Sequence, residues 1–228
     1  MSKNAISVSK LQKTYGHGES ATHALRGIDL DIKEGEFIAV MGRSGSGKST
    51  LLHLLGLLDK PTGGGIEIDG RDVLKLSERD KADFRLERLG YVFQEYSLIP
   101  EMTVLENVYV PALGLGKQNR YKKRARELLE IVGLGERTSH YPSEVSGGEQ
   151  QRAAIARALI NNPHILFADE PTASLDLASA GVVLALFQKL NKETGQTIVM
   201  VTHEPDDEKH ADRVIWLKDG SIENSGKA

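Results

Sequence analysis

The sequence predicts an α/β protein built on a mostly parallel sheet, with an antiparallel β unit in its N-terminal third and a helical insertion at about residues 95–158. Three observations predict it. Apolar runs without polar alternation, Tyr91-Val92-Phe93, Ile165-Leu166-Phe167-Ala168 and Thr197-Ile198-Val199-Met200-Val201, read as strands buried on both faces. Between the last two, Val183, Leu186, Phe187 and Leu190 fall at helical spacing, and strands alternating with helices give a parallel sheet covered on both sides. The N-terminal third differs, because Ile6-Ser7-Val8, Ile28-Asp29-Leu30-Asp31-Ile32 and Ile66-Glu67-Ile68-Asp69-Gly70 alternate as half-exposed antiparallel strands do.

Taken in order, the second alternating strand ends in the turn Glu34-Gly35, and the apolar run Phe37-Ile38-Ala39-Val40-Met41 follows as a buried strand. Helix-forming Thr50-Leu51-Leu52-His53-Leu54-Leu55 comes next. From about residue 95 to 158 strand signals cease and helix formers dominate, so this stretch is expected to be a helical subdomain inserted in a single domain spanning 1–228. No internal repeat, low-complexity tract or linker interrupts it.

Composition narrows the function. A chain of 228 residues, 39% hydrophobic and 27% charged, can bury one sizeable core and does not have the balance of a disordered segment. Without cysteine it has no disulfide framework and no thiolate metal site. The net charge of −3 argues against a general nucleic-acid binder. Met1-Ser2-Lys3-Asn4-Ala5-Ile6-Ser7 contains no apolar leader segment, and the longest apolar stretch, near residues 51–58, is broken by His53 and Gly56. The expectation is a cytoplasmic chain that reaches a membrane only through a partner.

Gly42-Arg43-Ser44-Gly45-Ser46-Gly47-Lys48-Ser49, followed by Thr50, fits the phosphate-binding loop pattern at every fixed position. It lies between a buried strand and a helix, the context that pattern requires, so the core is expected to be that of a P-loop nucleoside triphosphatase. Glycines let the backbone wrap a phosphate, and amides of the loop and helix N-terminus point at the anion. Lys48 adds a charge for the outer phosphates, and the Ser49 hydroxyl suits a magnesium ion. Downstream, Ile165-Leu166-Phe167-Ala168 ends in Asp169-Glu170. Ligands gather at the carboxyl ends of parallel strands. Asp169 is therefore expected to face Mg2+, and Glu170 to stand beside the γ-phosphate, where a carboxylate orients or deprotonates the attacking water.

Val145-Ser146-Gly147-Gly148-Glu149-Gln150-Gln151-Arg152, with Ala153-Ala154-Ile155-Ala156-Arg157-Ala158-Leu159 behind it, resembles the signature of ATP-binding cassette (ABC) ATPases. The resemblance runs from about residue 5 to 222. It implies that Ser146, Gly147, Gly148 and Glu149 cover the γ-phosphate held by an opposing subunit, and hence a homodimer closing on two ATP. Position by position, Tyr15 resembles the aromatic residue that stacks on adenine. Gln94 resembles the glutamine that joins the magnesium shell, and Asp176, in Ser174-Leu175-Asp176, the loop that touches the other subunit's site. His203 resembles the switch histidine on the γ-phosphate. On this reading Glu170, His203, Gln94 and Lys48 are catalytic, and Ser49, Gln94 and Asp169 surround the metal.

The signature departs from the family pattern at Val145, where Leu is usual, and at Glu149, where Gln is usual. The first is a packing change; the second puts a carboxylate near a phosphate site. The segment from Arg85 to Pro100, with Thr103-Val104-Leu105-Glu106-Asn107-Val108 and Gly56-Leu57-Leu58-Asp59-Lys60-Pro61-Thr62, is similar to lipoprotein-releasing (LolD-type) and macrolide-export (MacB-type) ATPases, with the cell-division (FtsE) type close by. This implies an integral membrane permease-type subunit as partner and no nucleic acid. Leu98, Ile99 and Met102, rimmed by Glu95 and Glu101, are either its docking patch or packed under the insertion. The rival reading, a soluble ABC ATPase acting on nucleic acid or ribosomes, rests on the basic run Arg120-Tyr121-Lys122-Lys123-Arg124-Ala125-Arg126, which also fits the solvated face of an amphipathic helix.

Overall fold

The computed structural model describes residues 3–115 and 118–227; residues 1–2 and 228 of the expected domain and 116–117 of the expected insertion lie outside the described residues. In chain order the strands are β1 (Asn4–Tyr15), β2 (Thr22–Lys33), β3 (Phe37–Met41), β4 (Gly63–Ile68), β5 (Arg71–Asp72), β6 (Leu89–Val92), β7 (Ile165–Asp169), β8 (Thr197–Val201), β9 (Arg213–Lys218) and β10 (Ser221–Lys227). The helices are α1 (Lys48–Leu55), α2 (Glu78–Arg88), α3 (Val104–Tyr109), α4 (Gln118–Ile131), α5 (Gly147–Ala158) and α6 (Leu177–Thr194).

The strands form two sheets. The smaller is antiparallel with order β2-β1-β4-β5, as the alternating N-terminal segments predict. The larger has order β10-β9-β3-β8-β7-β6 and is parallel except for the terminal β9–β10 hairpin. Its inner strands bury both faces, which is why they lack polar alternation. Phe37, Ala39 and Met41 of β3, with Ile198 and Met200 of β8, pack in one core with α6 and the helices of the insertion. Ile38 and Val40, with Val199 and Val201, pack on the other face with α1 and the antiparallel sheet.

Among the described residues no strand falls between β6 and β7, and α3, α4 and α5 fill that stretch. Ala125, Leu128 and Leu129 of α4 are buried while Arg120, Lys123 and Arg126 are exposed, so the basic run is the wet face of an amphipathic helix. Buried Asn107 pins the segment before α3, its Nδ2 donating to the carbonyls of Ile99 and Met102 at 3.0 Å each. Leu98 is half-buried and packs against the insertion's core, Met102 is half-buried, and Ile99 stays exposed. Among the described residues no helix is long and apolar enough to cross a membrane.

Because β3, β7 and β8 are adjacent and parallel, their carboxyl ends leave the sheet at one edge. That topology brings the loop at 42–49, Asp169-Glu170 and His203 together from three distant stretches of sequence.

Candidate nucleotide site

The loop after β3 is wedged on its outer side and open on its inner side. A Cβ at Gly47, where φ is +105°, would lie 2.5 Å from the Ala24 carbonyl oxygen, and one at Gly42 would lie 2.3 Å from that of Leu217. Only glycine fits this close approach to β2 and β9. Helix α1 then starts with Gly47 as N-cap, with no side-chain cap and no acidic residue in its first turn. Its first amides therefore keep their hydrogen-bonding capacity and positive potential for an anion. Lys48 is buried, and its Nζ arcs back to donate to the carbonyls of Gly42 at 2.9 Å and Arg43 at 3.3 Å. Ser46 Oγ is buried without a protein partner. A cavity of about 680 Å³ opens over this loop, lined by Gly42, Arg43, Ser44, Gly45, Gly47, Lys48, Ser49 and Thr50, by Thr22 and His23 of β2, by Trp216 of β9, and by Glu170 and His203.

Opposite the loop, Ser49 Oγ donates to Asp169 Oδ1 at 3.2 Å, and His53 Nε2 stands 3.7 Å from Asp169 Oδ2. Burial pushes the Asp169 carboxyl above its ordinary range, opposed by the Ser49 hydroxyl and His53 and reinforced by neighbouring Glu170. Among the described residues no three His, Cys, Asp or Glu side chains cluster to hold a metal by themselves. The donors present, one hydroxyl and one carboxylate, are hard oxygens that fit Mg2+ sharing its shell with phosphate oxygens and water.

Glu170 takes a left-handed backbone with φ +44°, a conformation that costs a non-glycine residue on the order of 1–3 kcal/mol and clusters at functional sites. Its amide donates to the Val201 carbonyl at 2.9 Å, which ties this turn to β8. Its carboxylate stands 3.2 Å from His203 Nδ1, while His203 Nε2 stands 3.2 Å from Glu204. The half-exposed imidazole thus bridges two carboxylates at the rim of the cavity.

Other expected residues lie apart. Tyr15 does not line the cavity: its hydroxyl donates to Asp59 Oδ2 at 2.9 Å and Lys13 Nζ sits 4.7 Å from its ring centroid, although its register partner Thr22 does line it. Gln94 is exposed, two residues past β6. Ser146 is the N-cap of α5, accepting from the Glu149 amide at 3.3 Å, while the Glu149 carboxylate accepts from the Ser146 amide at 2.8 Å and hydroxyl at 3.0 Å. This capping box, with Arg137 Nε 3.3 Å from Glu149, holds the Glu149 carboxyl below the usual range, chiefly through the Ser146 amide. A Cβ at Gly147 or Gly148 would fall 2.7 Å from Tyr96 Oη or 2.8 Å from Ser179 Oγ, so either side chain would have to shift to admit it. Asp176 caps α6, accepting from the amides of Ala178 and Ser179 at 3.0 Å each.

Sequence reasoning passes over His53, Trp216 and Asp207. The first carries a readable signal: four residues beyond Ser49 on α1, it shares that residue's helix face. No motif marks the other two.

A model of the ABC transporter family matches residues 25–173. An uncharacterized ABC transporter ATP-binding protein of Methanocaldococcus jannaschii, MJ1508, is 50% identical over 218 residues, covering 95% of this chain and 97% of that protein. The macrolide export ATP-binding/permease protein MacB of Syntrophobacter fumaroxidans is 48% identical over 222 residues, covering 96% of this chain but 31% of MacB. Among solved structures, a dimeric post-hydrolysis state of the ATP-binding cassette MJ0796 bound to ADP and Pi superposes with a TM-score of 0.88 at 43% identity, covering 97% of this chain and 98% of that one. The cbiO1 protein of Clostridium perfringens, part of the ABC transporter complex cbiONQ, superposes with a TM-score of 0.89 at 31% identity, covering 98% and 88%.

Proposed function

The chain belongs to the ABC transporter family as an ATP-binding, ATP-hydrolysing subunit, and from that premise we propose that it works as a Mg2+-dependent homodimer driving a permease-type membrane subunit of the lipoprotein-release or export kind. The observation that carries the reading is the convergence of three strand ends on one cavity: the uncapped phosphate loop, with Ser49 bonded to Asp169 behind it, and the Glu170–His203 pair. On this reading residues 1–228 are one ATPase domain with a helical subdomain at about 95–158.

The loop amides receive the phosphates, and the Lys48 ammonium turns from the Gly42 and Arg43 carbonyls to the outer ones. Ser49 and Asp169 would hold Mg2+, with Gln94 of the loop after β6 as a further oxygen donor. Bound there, the ion would neutralise phosphate charge. Glu170 orients the attacking water and accepts its proton, and His203 contacts the γ-phosphate. Tyr15 supplies the adenine platform once its ring leaves Lys13. Ser146, Gly147, Gly148 and Asp176 serve the nucleotide of the opposing subunit, with the Glu149 carboxylate beside it as the cap of that helix end. MacB is by name an ATP-binding/permease protein, which supports a permease-type partner and a peripheral place on the cytoplasmic membrane face. A cleft of about 460 Å³ lined by Leu58, Leu86, Tyr91, Phe93 and Pro111 is the docking place we assign to it.

A site built from two chains makes turnover depend on their meeting. ATPase rate measured against protein concentration should rise faster than linearly, and only with Mg2+, while light scattering shows monomer without nucleotide. A strictly linear rate, or a dimer of equal strength with and without Mg-ATP, overturns the two-chain site.

A further inference from the structure

We propose that Asp207 is a positioning residue that locks the loop carrying Glu170 to the loop carrying His203; the proposal rests on the catalytic reading of that pair given above. The side chain is 3% exposed, although carboxylates in proteins are almost never fully buried unless paired. Its Oδ2 accepts from Thr172 Oγ1 at 2.7 Å and from Thr202 Oγ1 at 2.6 Å. Thr172 lies two residues past Glu170, and Thr202 immediately precedes His203. The two threonines are themselves 5% and 1% exposed. One buried oxygen is therefore the shared acceptor of both loops.

The surrounding bonds extend the lock. Thr202 Oγ1, donating to Asp207, also accepts from the Glu204 amide at 3.1 Å, which fixes the turn leaving His203. The Asp207 amide closes that turn by donating to the Glu204 carbonyl at 3.2 Å. Donation running from Glu204 through Thr202 to Asp207 polarises each bond in the chain. A buried carboxylate is a costly way to fill space, and an apolar side chain would pack there with less desolvation. What the carboxylate supplies is an acceptor for the protons of two hydroxyls from two loops, which would otherwise be buried donors without a partner. The geometry governed by this lock is the 3.2 Å contact between Glu170 and His203.

Steady-state ATP turnover of Asp207→Ala, Asp207→Asn, Thr202→Val, the double variant Asp207→Ala/Thr202→Val and Glu170→Gln tests the proposal. Misplacing a catalytic group by about 1 Å costs on the order of 100-fold, so Asp207→Ala should lower kcat roughly 10- to 100-fold. The KM for ATP should hold, because the phosphate loop lies outside the network. Asp207→Asn keeps an acceptor oxygen and should recover most of the loss. The double variant should be no slower than its slower parent, the sign of a shared network. Wild-type kcat in Asp207→Ala, losses confined to KM and melting temperature, or an Asn variant as slow as Ala each overturn it. If Asp207→Ala does not fold, Thr172→Val and Thr202→Val decide, since wild-type kcat in both is incompatible with the lock. Glu170→Gln separates premise from inference: full turnover there removes the catalytic reading, whereas impaired turnover there beside an unaffected Asp207→Ala removes the Asp207 proposal alone.

Discussion

Helices α1 and α5 both open on glycines next to a proposed phosphate contact, yet their N-termini are finished in opposite ways. Helix α1 has Gly47 at its N-cap, no side-chain cap and no acid in the first turn. Helix α5 has Ser146 at its N-cap, a complete capping box and Glu149 in the first turn, with Arg137 on the carboxylate. The first end is left electropositive, as suits an anion supplied from outside. The second satisfies the amides of Ser146 and Glu149 and lowers its own potential, which stabilises that helix end in a chain standing alone. On the reading proposed above, a phosphate arriving there in trans would find the amides of Gly147 and Gly148, which the capping box does not use, and a Ser146 hydroxyl that must turn away from Glu149. The contrast suits a site in which one helix end binds nucleotide first and the other joins on closure.

The largest effects should come from separating binding at α1 from chemistry beside it. Lys48→Ala removes the buried ammonium and should abolish both nucleotide binding and the dimer. Glu170→Gln keeps shape and one acceptor but loses basicity, so turnover should fall by about two to four orders of magnitude, the range for a general base. Binding should persist in that variant, and the ATP-bound dimer should accumulate on size-exclusion chromatography. Wild-type turnover in Glu170→Gln would show that its carboxylate is structural, and a Lys48→Ala chain that still dimerises with ATP would erase the functional difference between the two helix ends.

Much of this arrangement was legible in the chain itself because its motifs are contiguous. The loop at 42–49 and the strand ending in Asp169-Glu170 are each local patterns, and parallel-sheet topology then forces them to one edge. The half-exposed N-terminal strands were legible for the same reason, since period-two alternation is a local property. The β9–β10 hairpin went unread despite Asp219-Gly220, whose positive φ values mark the type of turn that joins paired strands. The capping role of Glu149 was readable too: Ser146 and Glu149 stand at capping-box spacing, but a likeness to the Gln of the family signature drew the residue toward phosphate contact alone. Asp207 was not readable, because its partners Thr172 and Thr202 are gathered by tertiary packing. Tyr15 shows the converse limit, since its motif says nothing of Asp59 and Lys13, which hold it in this structure.

A smaller effect probes the acidic wall facing α1. Burial raises the Asp169 pKa, so the folded chain disfavours the ionised form. With a raised folded-state value, stability from this group is present at low pH and lost as pH rises through that value. Above that value the nucleotide-free wild type carries the penalty, and Asp169→Asn does not. The variant should therefore melt higher without ligand, by about 2–4 °C for each kcal/mol recovered in a chain of this size. The gap should close on acidification, and the extra stabilisation by Mg2+ with ATP should be lost. Calorimetry finding a lower ligand-free melting point, with the Mg2+ effect intact, would remove Asp169 from the metal site.

The smallest effect belongs to the other helix end and tests whether its self-satisfaction opposes closure. Glu149→Gln keeps a capping-box acceptor for the Ser146 amide but gives up the negative charge near the helix N-terminus and beside Arg137. A charge so placed is worth about 0.3–1 kcal/mol, so the isolated chain should lose roughly 1–3 °C in melting temperature. The sign follows from the lowered pKa of Glu149. A depressed carboxyl stabilises the fold above its unfolded-state value and ceases to do so as pH falls through the folded one, so the wild-type advantage should vanish in acid. On the reading proposed above, the closed dimer would bring this carboxylate near the partner's phosphate, and removing it should tighten ATP-dependent association, most visibly at low salt where repulsion is least screened. Stability and dimerisation should therefore move in opposite directions in this one variant. Sedimentation measured at two salt concentrations distinguishes the outcomes: weaker association at both would mean that the carboxylate helps to hold the partner's nucleotide, and the contrast between the two helix ends would then be one of structure alone.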